Sequence, residues 1–240
     1  RRRCADRGTS RGMEEACGAL GGRQMLWSEV AEIVGRSLLV SGSATLMASG
    51  WSLLISLKLL LSKGRVAELA VDLFNTLVSV PAVVIGLLLY LLLSRSGPLG
   101  FTSILYTPAA ISIGQAILIT PFIVSLSIST LRKTGEELWE TLVAVGASER
   151  QAAATLIRES LPGLLTAFIL GFNRAVGELG VALMLGGNIK GLTRVMTTAI
   201  ALEVSRGEFE LALTLGGVLL ATTFLITFLV RRMRVEWRLS

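Results

Sequence analysis

The sequence predicts an all-α polytopic membrane protein with about five transmembrane helices, and three observations carry that prediction. The first is bulk polarity. Hydrophobic residues make up 52% of the chain and charged residues 17%, with a mean hydropathy of +0.69. A soluble domain of 240 residues has too little interior to hide so much apolar surface. The second is the length of the uncharged runs. Residues 37–57, 73–94, 101–131 and 211–230 form runs of 21, 22, 31 and 20 residues, and a helix needs about 20 to cross the hydrocarbon core. The third is the lack of ~10-residue segments of alternating polarity, which a membrane barrel requires.

The elements follow in order. Residues 1–24, beginning RRRCADRGTSRG, are neither apolar enough for a signal peptide nor patterned as a helix. They are expected to be disordered or to lie outside the native protein, with Met13 and Met25 as candidate starts and Met25 preferred. Leu26, Trp27, Val30, Ile33 and Val34 then share one helix face, and Ser28, Glu29, Glu32 and Arg36 the other. Residues 25–36 read as an amphipathic helix in the headgroup layer, or as the start of a longer first helix. The membrane domain is placed at 37–240. Its first span carries small residues (Ser41, Ser43, Ala44, Ala48, Ser49) suited to close helix approach. Pro81, Gly86 and Pro121 fall inside later spans, where neighbouring helices can satisfy freed carbonyls. A fifth span, 161–186, is interrupted by Arg174 and Glu178.

Lys and Arg positions orient the chain. With five spans and a cytoplasmic C-terminus, the inner segments hold Lys63, Arg65, Arg132, Lys133, Arg150, Arg158, Arg231, Arg232, Arg234 and Arg238. The outer segments hold Arg36, Arg95, Lys190, Arg194 and Arg206. The excess sits inside, so the N-terminus is expected outside and residues 132–161 in the cytoplasm.

That cytoplasmic stretch reads as two capped helices. TGEE at 134–137 and SERQ at 148–151 are capping boxes. Gly146 follows an apolar helical run where a C-terminal stop is expected. The expectation is a helix from about Gly135 to Val145, a turn at Gly146–Ala147, and a second helix ending near Pro162. The apolar side of the pair, with Trp139, Leu142 and Val143, implies a partner surface, or packing on the inner ends of its own spans.

Composition also excludes chemistry. There is no histidine, which removes most metal, triad and proton-relay schemes. Cys4 and Cys17 lie outside any span and suggest neither a disulfide framework nor a metal site. No G-x-x-x-x-G-K-[ST] loop is present, so the chain is not expected to bind ATP or to carry catalytic residues. The net charge of +6 is not a nucleic-acid signal: four of the Arg residues sit in the tail RRMRVEWR directly after the last span, which reads as a membrane anchor.

Glu140, Thr141 and Leu142, then three residues, then Gly146 are similar to the EAA–x3–G loop of binding-protein-dependent ABC importer permeases. Thr141 and Leu142 stand where alanines are usual. SVPAVVIGLLLYLLLSRSGPLG (79–100) and GFNRAVGELG (171–180) resemble oxyanion permeases of the molybdate, sulfate and tungstate group, and residues 186–216 look most like the tungstate members. The resemblance runs from about residue 29 to 232. It implies the type I ABC importer permease fold, with 132–161 as the coupling loop and Glu140, Thr141, Leu142, Gly146, Ala147 and Ser148 seated on a cytoplasmic ATPase. It further implies a second copy of the chain, two ATP-binding subunits that hold ATP and Mg2+, an extracytoplasmic oxyanion-binding protein, and a prokaryotic cell membrane. The implied substrate is tungstate, with molybdate as the alternative. An ion-coupled secondary transporter is the rival class, but no internal repeat is visible.

Arg174 and Glu178 lie four apart on one helix face. Either Arg174 with Asn173 lines the anion path near the midplane, or Arg174 and Glu178 form a fixed bridge that locks the helix in place. Asn188, Lys190 and Arg194 sit in the outer loop before the last span, as anion or binding-protein contacts or as solvated loop charges.

Overall fold

In the computed structural model, the backbone is described for residues 11–62 and 64–237. Side chains are described for 28–229 and 232, apart from residues 63, 136, 137, 139, 140, 143, 149, 150 and 153. Eight α-helices and one short 3-10 turn, but no strand, occur among the described residues. The helices are α1 (Arg11–Leu61), α2 (Arg65–Leu77), α3 (Ala82–Leu93), α4 (Pro108–Ala144), α5 (Glu149–Val176), α6 (Gly180–Gly186), α7 (Met196–Arg206) and α8 (Phe209–Trp237).

Four stretches are long and apolar enough to cross a membrane: Ser28–Leu61, Pro108–Gly135, Ala154–Val176 and Phe209–Leu229. A fifth crossing is available if α2 and α3 count as one bent span. The helices differ from their sequence-derived outlines in four places.

The segment 25–36 is not a separate helix. It continues into the span as part of α1, which is already helical from Arg11; the side chains of 25–27 and all of 1–10 lie outside the described residues. No proline interrupts the stretch, and Ser37 Oγ donates back to Ile33 O at 2.8 Å, within the helix.

The second span is broken. α2 and α3 meet at 100°, because Pro81 has no N–H to give and disfavours helical geometry at the residue before it. Pro81 is extended, with φ −61 and ψ 130.

The fifth span stops at Val176 rather than continuing to 186. Its C-cap is Gly177, and α6 starts afresh at Gly180.

The helix pair expected at 132–161 is not a separate module. α4 runs unbroken through Thr134, whose hydroxyl donates to Thr130 O (3.1 Å) inside the helix instead of capping a new one. α5 likewise passes through Pro162, and Thr166 Oγ1 donates to the Pro162 carbonyl at 2.8 Å.

At the centre of the bundle, Ala44 and Ala48 of α1 pack on Ala116, Ile119 and Ile123 of α4 and Ala175 of α5. Apolar burial drives little association when the solvent is lipid, so close packing and interhelical hydrogen bonds must hold the helices. Both are present. Ser41 Oγ donates to Gln115 Oε1 (3.1 Å), Gln115 Nε2 donates to Ala175 O (3.0 Å), and Trp51 Nε1 donates to Thr120 Oγ1 (2.6 Å). One glutamine thus ties three helices together.

The two ends of the bundle have different occupants. One end gathers the last turns of α1, the body of α2, the second half of α4 and the start of α5, through Leu57, Val71, Ile128, Leu131 and Leu156. The other gathers the start of α1 with α6, α7 and the end of α5.

Candidate functional site

The tip between α4 and α5 is built by two adjacent capping devices. Gly146 has φ +82, and Ala147 N–H reaches back to Leu142 O at 3.0 Å. This six-to-one bond with a left-handed glycine ends α4 as a Schellman motif. Two residues later Ser148 starts α5. Its hydroxyl accepts from Gln151 N (3.4 Å), and its own N–H donates to Gln151 Oε1 (2.9 Å), closing the capping box that the sequence predicted.

The tip projects away from the bundle. Thr141, Gly146 and Ser148 are exposed, and Leu142 and Ala147 are half-buried. Val145 is 83% exposed. The side chains of Glu140, Trp139 and Val143 lie outside the described residues. Just inward, Leu131, Leu156 and Leu164 are buried against Leu53, Leu57 and Leu60 of α1. The base of the hairpin is therefore fixed in the bundle while its tip offers an uncovered surface.

Sequence reasoning missed the ridge that joins these two helices. Gly163, Ala167, Gly171 and Ala175 recur every four residues along α5, a run of small side chains that lets another backbone approach. A Cβ placed on Gly163 would collide with the Thr130 side chain, and one on Gly171 would lie 2.7 Å from Ile123 Cδ1. The spacing was visible in the sequence as a small-xxx-small repeat.

At the opposite end, α5 delivers the polar group flagged in the sequence. Arg174 Nη1 lies 3.0 Å from Glu178 Oε2, with the arginine side chain 46% exposed and the glutamate 6%. The other oxygen, Glu178 Oε1, accepts from Gly180 N at 2.7 Å. The carboxylate is therefore held from both sides at the break between α5 and α6. Asn173 Nδ2 donates to Thr227 Oγ1 of α8 at 2.6 Å, and its Oδ1 is buried without a partner among the described residues. The apolar stretch of this helix is Ala154–Val176, so Arg174 stands within a turn of its end and not at the middle of the span.

The loop between α6 and α7 folds onto α1. Glu29 Oε1 meets Lys190 Nζ at 2.7 Å and Arg194 Nη1 at 3.7 Å. Arg36 donates to the carbonyls of Gly191 (3.0 Å) and Arg194 (3.2 Å). Asn188 takes a left-handed φ of 52 and donates to Thr198 O at 3.3 Å. Lys190 is exposed, whereas Arg194 is buried. Asn188, Lys190 and Arg194 thus share one loop, but Arg194 turns inward toward α1. Among the described residues no group of three His, Cys, Asp or Glu is placed to hold a metal ion.

Comparison with known proteins places this arrangement. Residues 48–235 match the family described as "Binding-protein-dependent transport system inner membrane component". A tungstate uptake system permease protein of Peptoclostridium acidaminophilum is 37% identical over 87% of this chain and 91% of its own length. A probable anion ABC transporter permease protein of Haloferax volcanii is 34% identical over 85% of this chain and 90% of its own. A tungstate uptake system permease protein of Campylobacter jejuni is 35% identical over 71% and 70%.

Proposed function

The chain belongs to the family of inner membrane components of binding-protein-dependent transport systems, and from that membership we propose that it is the tungstate-importing permease subunit of an ABC transporter. The observation that carries the substrate is the 37% identity, over nearly the whole of both chains, with a tungstate permease. Molybdate is the alternative, because the two dianions have nearly the same size and charge. In this reading an extracytoplasmic binding protein makes the choice between them, and the permease passes on what it receives.

Two copies of the chain would form one pathway, driven by two cytoplasmic ATP-binding subunits, with the N-terminus outside and the C-terminus inside. The permease itself would catalyse nothing. The tip at Gly146 is the docking point for the ATPase, and three features support that role: exposure of Val145, the double cap, and continuity with the spans. α4 extends unbroken from Pro108 to Ala144 and α5 from Glu149 to Val176. At ~1.5 Å per residue, closure of the ATPase around the tip acts on levers tens of ångströms long whose far ends lie in the bundle core. A pair of short helices on flexible joints would absorb that displacement. These levers transmit it and switch the bundle between outward- and inward-open states.

The test is ATP hydrolysis in liposomes holding the chain with its co-expressed ATPase, to which binding protein loaded with tungstate, molybdate or sulfate is added. Stimulation at the lowest anion concentration by the tungstate-loaded protein is the expected result. Equal stimulation by molybdate would widen the substrate, and failure of the ATPase to associate would sink the reading.

A further inference from the structure

α2 and α4 flank an open cleft of about 440 Å³ at the same end of the bundle as the α4–α5 tip. Its floor is apolar, made by the buried Val71 and Ile128. Its walls are hydroxyls, an amide and two cations: Ser125, Ser129, Asn75, Arg132 and Lys133. Ser125, Ser129 and Arg132 are spaced four and three apart, so α4 presents them on a single face. Ser125 Oγ donates to Asn75 Oδ1 at 2.6 Å, which fixes the amide and leaves its Nδ2 without a partner among the described residues.

We infer that this cleft binds a tetrahedral oxyanion. The donor set fits that chemistry: the Arg132 guanidinium matches two oxygens at once, and the Lys133 ammonium adds a point charge. The Ser129 hydroxyl and the Asn75 amide N–H take remaining lone pairs, while Ser125 spends its proton on holding Asn75. No carboxylate is among the lining residues. Glu68 and Asp72 are exposed on the same helix α2, where their negative charge weakens binding. A weak site is what a transported anion needs in order to leave again. The inference rests on the transport reading for its choice of anion. The phosphate of an anionic lipid headgroup offers the same chemistry as the transported dianion.

The experiment is equilibrium dialysis of tungstate against the full chain in nanodiscs, without binding protein, in neutral lipid and again with anionic phospholipid. Saturable binding in neutral lipid is expected, weakened about tenfold or more by Arg132→Gln with Lys133→Gln, as for loss of charge-assisted hydrogen bonds. Ser129→Ala, at an exposed position that should not disturb folding, is expected to weaken it severalfold. Displacement of tungstate by anionic phospholipid would support the site and name the headgroup as its resident. Absence of saturable binding in neutral lipid, or equal binding by wild type and both variants, would overturn the inference. The liposome assay separates the two readings: stimulated ATPase without tungstate binding sinks this site alone, whereas binding without any stimulation leaves the site and sinks the transport role.

Discussion

Ile123 of α4 occupies the notch that Gly171 of α5 leaves open. A Cβ on that glycine would stand 2.7 Å from Ile123 Cδ1 and 2.8 Å from Cγ1, while Ile123 itself is fully buried. Gly171→Ala is therefore expected to force the helices apart at a cost of about 1–3 kcal/mol, the usual size of core overpacking. Gly50→Ala is the control, because nothing lies within 4 Å of its Cβ position and alanine favours the helix. Thermal unfolding in detergent compares the two, and equal melting temperatures would refute the close-approach account.

Gly146 carries a different constraint. No atom lies within 4 Å of a Cβ built there, but its φ is +82, a region that costs an L-residue about 1–2 kcal/mol and a β-branched one more. Gly146→Val should leave insertion and bundle packing intact, because the tip is exposed, yet uncouple ATP hydrolysis from uptake. Gly146→Asn should retain much of the coupling, since asparagine tolerates the left-handed turn. Normal uptake by the valine variant would remove the tip from the coupling path.

Much of this architecture was legible in the sequence, and the misses share a physical cause. The uncharged runs 37–57, 101–131 and 211–230 fall on apolar spans, whereas 73–94 straddles the break between α2 and α3. Gly146 with Ser148–Gln151 gave the turn and cap correctly, because each is a local device. The boundaries failed where tertiary context overrode local signals. Thr134–Glu137 has the residues of a capping box, but Thr134 donates along a continuing helix, and Pro162 has the look of a helix stop although α5 passes through it. Pro81, in contrast, does break its span. Local sequence does not separate these two prolines. What distinguishes them is the packing of the flanking turns: Leu156 and Leu164, on either side of Pro162, are both buried against α1, whereas Ser79 and Pro81 are exposed. The four-residue spacing of Arg174 and Glu178 allowed the pairing seen at 3.0 Å but left open whether Arg174 lines a path. The clasp between Glu29 and the α6–α7 loop had no such signal, because residues 29 and 190 are distant in the chain.

The Arg174–Glu178 pair is unequal, and its variants should be unequal too. Glu178 is buried and holds both Arg174 and Gly180 N, whereas Arg174 is nearly half exposed and can be rehydrated. Glu178→Ala should cost more stability than Arg174→Ala, because it also strands the Gly180 N–H. A double-mutant cycle should give a coupling of about 0.5–3 kcal/mol, as for residues that share a network. Zero coupling in reversible unfolding would show that the 3.0 Å contact contributes nothing to stability.

Arg194 poses the last test. Its side chain is 10% exposed and its Nη1 sits 3.7 Å from Glu29 Oε1, longer than a good charge-assisted hydrogen bond. Its Nε is buried without a partner among the described residues. Removing one partner of an ion pair is costly when it strands the other charge in the interior. Glu29, however, is 38% exposed and keeps Lys190 at 2.7 Å, so a methionine at 194 removes a poorly satisfied cation without leaving a buried charge behind. Arg194→Met should therefore unfold at the same temperature as wild type or higher. Lys190→Ala, at a side chain 68% exposed, should change stability by less than about 1 kcal/mol. If Arg194 serves passage of an anion or docking of its carrier, the stable methionine variant should lose stimulation of the ATPase by loaded binding protein. A drop in melting temperature larger than that of Gly171→Ala would instead make Arg194 a structural strut and end the functional case for it.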